Sequence, residues 1–347
     1  MNRSESQEET PQDEQREALR DELARLILGA DLGLTGEEVA AKGGLSRERG
    51  ERLWRALGFP DLGDNPAYSE SDVEAISIVA AALDRDLLDE ETIFRMTRAL
   101  GQTMSRLADW QVATLVEQVE THVGAGRAPS RLEAAVALAH QAEPGFERLM
   151  VYAWRRHLAA AAARMEALGA ADAELLSTSM TVGFADLSRF TALSNELDDD
   201  RLGLLVETFE NRSTDVVTEH GGRVIKALGD ATLFVNADAR SATDTALDLI
   251  ASVGSHGELP AIRVGLATGS VLSRLGDIFG PPVNLAARLS HVARSNRVIV
   301  DQPTAEALDP AEFDCRRMPA RPLRGFGEVA PITVSRRRGF RSTGSRP

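Results

Sequence analysis

Residues 183–191 read GFADLSRFT, and residues 223–235 read RVIKALGDATLFV. In each segment an apolar run typical of a β-strand meets a turn, and an aspartate, Asp186 or Asp230, stands at the junction. A carboxylate at a strand end is a common way to hold Mg²⁺ against phosphate oxygens, because this hard cation prefers oxygen ligands. The two segments therefore predict a metal site built from two strand-end carboxylates.

A third segment, GDIFGPPVNLAARL at residues 276–289, adds Asp277, Asn284 and Arg288. Asn284 and Arg288 are four residues apart on the helix that the two prolines begin, so they would project from one helix face. Taken with Lys226 of the second segment, the three segments resemble the catalytic domain of the class III nucleotidyl cyclases. The resemblance covers roughly the C-terminal half of the chain.

The resemblance implies a role for each of these residues in the cyclisation of a nucleoside triphosphate. Asp186 and Asp230 would bridge two Mg²⁺ or Mn²⁺ ions, with the backbone carbonyl of Leu187 as a further ligand. Asn284 would orient the ribose, and Arg288 would meet the charge that develops on the α-phosphate. Backbone N–H groups along Ser188 to Thr191, at the start of the next helix, would cradle the β- and γ-phosphates, with Phe190 and Thr191 among them. The resemblance implies that Arg297 and Arg324 contact the triphosphate through their side chains.

Lys226 and Asp277 bear on the choice of base. Adenine presents an acceptor at N1 and a donor at N6, which a lysine and a carboxylate complement, whereas guanine reverses this pattern. The adenylate-forming members of the family use this Lys/Asp pair, so ATP is the favoured substrate, and 3′,5′-cyclic AMP and pyrophosphate are the expected products. A guanylate cyclase and a non-catalytic nucleotide-binding sensor on the same fold are the alternatives.

The resemblance also implies a homodimer. Lys226 and Asp230 flank one tight turn, yet in the family the lysine serves one active site and the aspartate serves the other, across a twofold interface. A lone monomer should therefore be inactive. Each site would combine residues of both protomers: Asp186 and Asp230 from one, and Lys226, Asp277, Asn284 and Arg288 from the other.

One position departs from the family pattern. Most relatives have glycine where this chain has Arg189, in a loop whose backbone approaches phosphate. If the position requires a positive φ, the arginine is strained there. Alternatively, the arginine adds a positive charge near the triphosphate, and the sequence leaves both interpretations open.

Composition limits the other functions. The 347 residues are 43% hydrophobic and 27% charged, as expected for a globular protein of about two domains. The net charge of −14 disfavours a large nucleic-acid or anionic-membrane surface. The single cysteine, Cys315, rules out an intrachain disulfide, and neither a signal peptide nor a membrane-spanning run is found, so a cytoplasmic protein is expected.

The two halves of the chain differ in periodicity. Apolar residues recur at helical spacing up to about residue 168, which predicts an all-α first half. Strands are predicted at residues 181–185, 223–228, 231–235, 262–268 and 297–300, with helices at 201–219 and 242–253 between them. The fold class is therefore α+β, and the resemblance makes the second half a ferredoxin-like βαββαβ core. The predicted organisation is a disordered tail (1–12), a helical regulatory domain (13–170), a linker (171–178), the class III cyclase catalytic domain (179–336) and a basic tail (337–347).

Residues 34–59 and the following YSESDVEAI resemble a degenerate MerR-type helix-turn-helix, and also the helical regulatory domains found before soluble actinobacterial cyclases. DNA binding would need a net positive face, because phosphate contacts are made by cations. The basic residues of this segment are interleaved with glutamates, so control of the cyclase dimer by an unknown signal is favoured over nucleic-acid binding. Ser46 is predicted to cap a helix that ends at Gly58.

Overall fold

The computed structural model describes residues 11–337, except 61, 64, 86–87, 142–144, 168–176, 255–258 and 275. The chain divides into two compact units, Met1–Ala159 and Ala160–Pro347, called here the helical unit and the sheet unit. The predicted tail at 1–12 lies outside the described residues, apart from the first two residues of α1. The predicted linker at 171–178 and basic tail at 337–347 also lie largely outside them.

The helical unit is built from α-helices in its described part, with one isolated β-bridge between Leu34 and Tyr68. Ser46 accepts a hydrogen bond from the N–H of Arg49, and Gly58 ends that helix in the left-handed region with φ of 88°, so the predicted cap and stop are confirmed. No described helix combines the length and apolarity needed to cross a membrane. The helices are α1 Pro11–Leu28, α2 Gly36–Lys42, α3 Arg47–Leu57, α4 Glu70–Asp84, α5 Glu90–Gly124, α6 Arg131–Gln141 and α7 Gly145–Ala167. The last of these, α7, crosses the boundary at Ala159 and ends in the first residues of the sheet unit.

The helix-turn-helix resemblance of α2 and α3 does not extend to an open cationic surface. The arginines of α3 form ion pairs with acids: Arg49 contacts Glu90 at 2.8 Å, and Arg52 contacts Glu90 at 2.7 Å and Glu91 at 2.8 Å. These pairs tie α3 to the start of α5, where Arg52 also lies over the ring of Phe94. The charge that phosphate contacts would need is thus largely neutralised within the unit.

The sheet unit confirms the expected ferredoxin-like fold. Its first six long elements run β1, α9, β2, β3, α10, β4, and the strands are ordered β2-β3-β1-β4. All five predicted strands are present, and later strands extend the sheet to the order β2-β3-β1-β4-β6-β10-β7, with β5 paired to β4. The elements are β1 Ser177–Leu187, α8 Phe190–Leu193, α9 Asp199–Glu219, β2 Arg223–Ala227, β3 Ala231–Asn236, α10 Ala239–Gly254, β4 Ile262–Arg274, β5 Asp277–Phe279, α11 Pro281–Val292, β6 Arg297–Val300, α12 Gln302–Glu306, β7 Phe313–Arg317, β8 Arg321–Leu323, β9 Gly327–Val329 and β10 Ile332–Arg336.

Helices cover both faces of this sheet. Ala185 and Leu187 of β1 lie in the core beneath α9 and α10, whereas Val182 and Phe184 pack in the second core with Ala286 of α11. Because side chains alternate along a strand, Asp186 points to the α11 face. The same alternation along β4 puts position 263 on this face. The sheet therefore presents the end of β1 and the start of β4 on the side where α11 packs.

Gly265 sets how closely α11 approaches β4. A Cβ at this position would lie 2.2 Å from the carbonyl oxygen of Ala286 and 2.3 Å from the backbone nitrogen of Ser290. Both atoms belong to the backbone of α11, so no side-chain rotation could relieve the overlap. The absence of a Cβ at Gly265 thus fixes the position of the helix that carries Asn284 and Arg288.

We predict that Gly265→Ala lowers the free energy of unfolding by about 1–3 kcal/mol, because overpacking forces the α11 backbone away from the sheet. The matched control is Gly203→Ala in α9, where a Cβ would meet nothing within 4 Å. This change should stabilise the protein by up to about 1 kcal/mol, because alanine favours a helix over glycine. Chemical denaturation, followed by circular dichroism, measures the free energy of unfolding of both variants. Equal changes in this free energy would contradict the close packing of α11 against Gly265.

Candidate active site

Asp186 and Asp230 lie side by side at one end of the sheet. Asp186 is the penultimate residue of β1, is only 6% exposed, and pairs with Ala231 of β3. Asp230 is in the turn between β2 and β3, where its carbonyl accepts a hydrogen bond from the N–H of Leu187 at 2.8 Å. The structure therefore brings together the two carboxylates predicted from the sequence, and Leu187 with them.

The electrostatics of this pair suit a divalent cation. Burial raises the pKa of the Asp186 carboxyl, and the nearby charge of Asp230 also raises it, while Arg263 and His291 act in the opposite direction without restoring the ordinary value. The described residues contain no cluster of three or more His, Cys, Asp or Glu side chains arranged to hold a metal. Mg²⁺ is commonly held by one or two carboxylates plus substrate phosphates, so this donor set fits a metal that binds with its nucleotide.

Arg263 belongs to the site although the sequence analysis missed it. Its Nη2 donates to Oδ2 of Asp186 at 2.5 Å, and its Nε is buried without a hydrogen-bond partner in the described part of the chain. β1 and β4 are antiparallel, which sets Asp186 opposite Arg263, and Arg263 is in register with Arg297 of β6. Asp186, Arg263 and Arg297 thus form one row across three neighbouring strands. Only the strand register reveals this row.

The loop after β1 contains the residues expected to cradle phosphate. Phe190 and Thr191 begin the short helix α8, and the first N–H groups of a helix have no partner within it. The N–H of Ser188, in contrast, donates to the carbonyl of Ala261 at 2.7 Å, so it is not among the groups open to phosphate. The Ser188 hydroxyl is buried and lacks a hydrogen-bond partner among the described residues.

Arg189 adopts the left-handed backbone conformation, with φ of 65° and ψ of 23°. This is the strained conformation that the glycine of most relatives suggested, and it costs a residue with a side chain about 1–2 kcal/mol. The Arg189 side chain is exposed. The strain is therefore present, and a role for the charge is compatible with it.

Lys226 and Asp277 form an ion pair within one protomer. Nζ of Lys226, on β2, donates to Oδ2 of Asp277 at 2.6 Å, and Asp277 is the first residue of β5. Burial acts to raise the pKa of Asp277, but hydrogen bonds from Lys226 and from the N–H of Ile278 hold this pKa below its usual value. An ionised carboxylate and a lysine are therefore presented together.

Asn284, Arg288 and Arg324 line one open cleft of about 810 Å³. Asn284 and Arg288 project from α11, as their spacing predicted, and Arg324 lies in the turn between β8 and β9. Gly280 and Pro281, at the start of α11, also line the cleft. Within one protomer the expected site residues thus fall into three groups: the carboxylates with Arg263 and Arg297, the Lys226–Asp277 pair, and the α11 cleft.

Strand-end carboxylates, exposed arginines and a polar helix face together suit a domain that binds a metal-bound polyphosphate. The family model for the adenylate and guanylate cyclase catalytic domain matches residues 175–334. The chain belongs to the class III nucleotidyl cyclase family, as its three sequence segments indicated.

Relatives extend the similarity to the helical unit. A protein of Streptomyces coelicolor named adenylate cyclase is 37% identical over 344 residues, which cover 91% of this chain and 90% of that protein. A protein of Glutamicibacter nicotianae named adenylate cyclase is 33% identical, and the matched region covers 92% of this chain and 83% of that protein. Among solved structures, the adenylyl cyclase CyaB from P. aeruginosa is 23% identical, with a TM-score of 0.43 over 47% of this chain and 96% of that chain.

We predict that Arg189→Gly raises the free energy of unfolding by roughly 0.5–1 kcal/mol. The change removes left-handed strain of about 1–2 kcal/mol, while the greater freedom of glycine in the unfolded chain offsets about half of the gain. Arg189→Ala is the matched control, because it removes the same charge and keeps the strain. If the glycine variant is no more stable than the alanine variant, the backbone at position 189 is not strained. If both variants lose the same fraction of activity, the positive charge of Arg189 has a role in the reaction.

Proposed function

We propose that the protein is an adenylate cyclase, which converts ATP to 3′,5′-cyclic AMP and pyrophosphate. The observation that carries the proposal is the 2.6 Å contact between Lys226 and Asp277, which sets an amine donor beside an ionised acceptor. This pair complements N1 and N6 of adenine and mismatches the corresponding edge of guanine. Relatives named adenylate cyclase, at 33% to 39% identity, support the same substrate.

Two Mg²⁺ or Mn²⁺ ions per site would make the ribose 3′-hydroxyl easier to deprotonate and would neutralise the triphosphate. Asp186, Asp230 and the carbonyl of Leu187 would hold them. Arg263 holds the Asp186 carboxylate in place and compensates part of its buried charge. Its neighbour Arg297 adds a second cation to the same row, suited to triphosphate oxygens.

The α11 cleft would bind the reacting end of the nucleotide. The amide of Asn284 can orient the ribose, so that its 3′-hydroxyl is aligned with the α-phosphorus. Arg288, one helical turn later, would meet the negative charge that develops on the α-phosphate. Arg324 also lines this cleft, where its side chain would contact the triphosphate and stabilise pyrophosphate as it departs.

We infer that each site is shared between two protomers. The side chains that line the α11 cleft include neither Asp186 nor Asp230, as expected if the two aspartates of one chain serve a different site from its α11 cleft. Exposed apolar side chains lie near the Lys226–Asp277 pair along the chain: Leu228 in the β2–β3 turn, and the cross-strand pair Leu272 and Phe279 of β4 and β5. Such exposed apolar side chains mark a partner surface. A second copy would cover them and complete the site.

The alternatives have less support. A guanylate cyclase would need other base-reading groups than a lysine and a carboxylate. A non-catalytic sensor would ordinarily have lost a carboxylate or the Asn/Arg pair, and all four residues are retained here. Control of the dimer by the helical unit, through an unknown signal, stays a prediction.

We predict that cyclic AMP forms from ATP in the presence of Mg²⁺ or Mn²⁺, and that GTP yields much less product. Asp230→Asn should lower kcat at least about a hundredfold, because it removes a carboxylate that would hold the metal ions, which supply several kcal/mol of charge stabilisation. Asp215→Asn is the matched control, since Asp215 is an exposed residue of α9. Preferential turnover of GTP would favour the guanylate cyclase, and nucleotide binding without any turnover would favour the sensor.

We also predict that mixing Asp186→Ala chains with Asn284→Ala chains restores activity to about one quarter of the wild-type value. Half of the dimers would then be mixed, and both lesions fall in one of their two sites, so the other site is intact. The control mixes Asp186→Ala with Asp230→Ala chains, which leaves one lesion in every site and should stay inactive. If mass spectrometry shows that mixed dimers form and neither mixture is active, the proposal that each site is shared between two protomers is wrong.

A further inference from the structure

The exposed face of α11 extends one turn beyond the residues that line the cleft. The exposed residues of this helix are Pro281, Asn284, Arg288 and His291. They are separated by three, four and three residues, so they form one stripe along the helix. The first three line the α11 cleft, and His291 continues the stripe past it. No hydrogen bond ties the imidazole of His291 to another described residue.

Two glycines of β4 fix the path of α11 across the sheet. At Gly269 a Cβ would lie 2.9 Å from Cγ of Pro282, and at Gly265 it would lie 2.3 Å from the backbone nitrogen of Ser290. The helix therefore runs antiparallel to β4, because its residue numbers rise as those of the strand fall. Arg263 lies two residues before Gly265, which is about 7 Å along the strand, and one turn of a helix advances about 5.4 Å. The last turn of α11, which contains His291, thus reaches the level of Arg263.

A second observation gives the same location for His291. Burial raises the pKa of the Asp186 carboxyl, and positive charge on Arg263 and on His291 opposes this rise. A charge acts on a carboxyl in this way only at short range, because water and salt screen it at longer distances. His291 therefore lies beside the metal-binding carboxylate of its own chain.

The nitrogen donors at this level suit a phosphate group. Arg263 and Arg297 are in register on neighbouring strands, and an imidazole adds one N–H donor when neutral and two when protonated. Phosphate oxygens are acceptors, and hydrogen bonds that they receive from cationic donors are short and strong. Mg²⁺ held by two carboxylates keeps positions for phosphate oxygens, so a polyphosphate on the metal would lie within reach of the exposed ring of His291.

We propose that His291 is a substrate-binding residue, which donates a hydrogen bond to the β- or γ-phosphate of the ATP that Asp186 and Asp230 of the same chain bind through metal ions. The proposal rests on the proposed function and adds a contact to it. One α11 helix then serves both sites of the dimer. Its Asn284 and Arg288 contribute to one site, and its His291 contributes to the other.

Binding of inorganic pyrophosphate to the full-length chain tests the contact without turnover. In calorimetric titrations with Mg²⁺, His291→Ala should raise the dissociation constant of pyrophosphate about tenfold, because it removes a hydrogen bond to a charged acceptor. His291→Lys keeps a donor and a positive charge, so its dissociation constant should stay within about threefold of the wild-type value. The matched control is Arg294→Ala, which removes an exposed cation just beyond α11, after the backbone becomes extended at Ala293. This control should bind pyrophosphate as the wild type does.

Three results of the titration would overturn the proposal. They are an unchanged dissociation constant in His291→Ala, an equal loss in Arg294→Ala, and no binding of pyrophosphate by the wild-type chain. An equal loss in the control would show that only the overall positive charge matters. Circular dichroism of the variants checks that each one is folded, as expected for changes at exposed positions.

Steady-state kinetics separate a phosphate contact from an indirect effect on Asp186. His291→Ala should raise KM for ATP about tenfold and change kcat by less than about threefold, because the contact is present both before and during the reaction. A lower kcat with an unchanged KM would overturn the proposal, since it would show that His291 acts on the alignment of the carboxylate.

Mixed dimers test which site His291 serves. A dimer of one Asp186→Ala chain and one Asn284→Ala chain has one intact site, whose carboxylates come from the Asn284→Ala chain. His291→Ala added to that chain should raise KM for ATP about tenfold, and the same change in the Asp186→Ala chain should leave KM unchanged. The reverse result would overturn the proposal. Inactive mixed dimers would instead contradict the shared site of the proposed function, and the pyrophosphate titration would still decide whether His291 binds phosphate.

Discussion

The antiparallel pairing of β1 with β4, from Ser177 opposite Leu272 to Leu187 opposite Ile262, is the constraint on which the site depends. The register sets Asp186 opposite Arg263 and directs both side chains to the α11 face. A slip of one residue would turn the Asp186 carboxylate into the core beneath α9 and α10, because side-chain direction alternates along a strand. That core is apolar and could not hold an ionised carboxylate without a partner.

Two glycines allow the sheet to be packed closely on both of its faces. At Gly183 of β1 a Cβ would overlap the ring of Phe234, and at Gly265 of β4 it would overlap the α11 backbone. The ring of Phe234 fills the space beneath α9 and α10, while α11 lies directly on β4. The strand-end carboxylates and the polar face of α11, which would serve the two different sites of the dimer, are therefore both positioned by the same sheet.

The sequence allowed the βαββαβ core to be predicted because its strands are long apolar runs between turn residues. The short strands β5 and β7 to β10 were not predicted, because each has only three to five residues and most of them contain polar residues. The sequence argument grouped Lys226 with Asp277 because the two side chains complement the donor and acceptor of adenine. The structure places these side chains in contact. Arg263 was missed because an arginine at a strand start is common, and only the register shows that it meets Asp186.

Ionisation of the Asp186 carboxyl lowers the stability of the folded protein. Burial raises its pKa, and the charge of Asp230 raises it further, so the ionised form is less stable in the folded protein than in the unfolded chain. For a carboxyl with a raised pKa, the associated stability is present below the unfolded pKa and is lost as the pH rises through the folded pKa. The ionised Asp186 carboxylate is thus unfavourable in the folded chain, and Arg263 compensates its charge only in part. A cation bound by both carboxylates would favour their ionised form, and would therefore stabilise the fold and the site together.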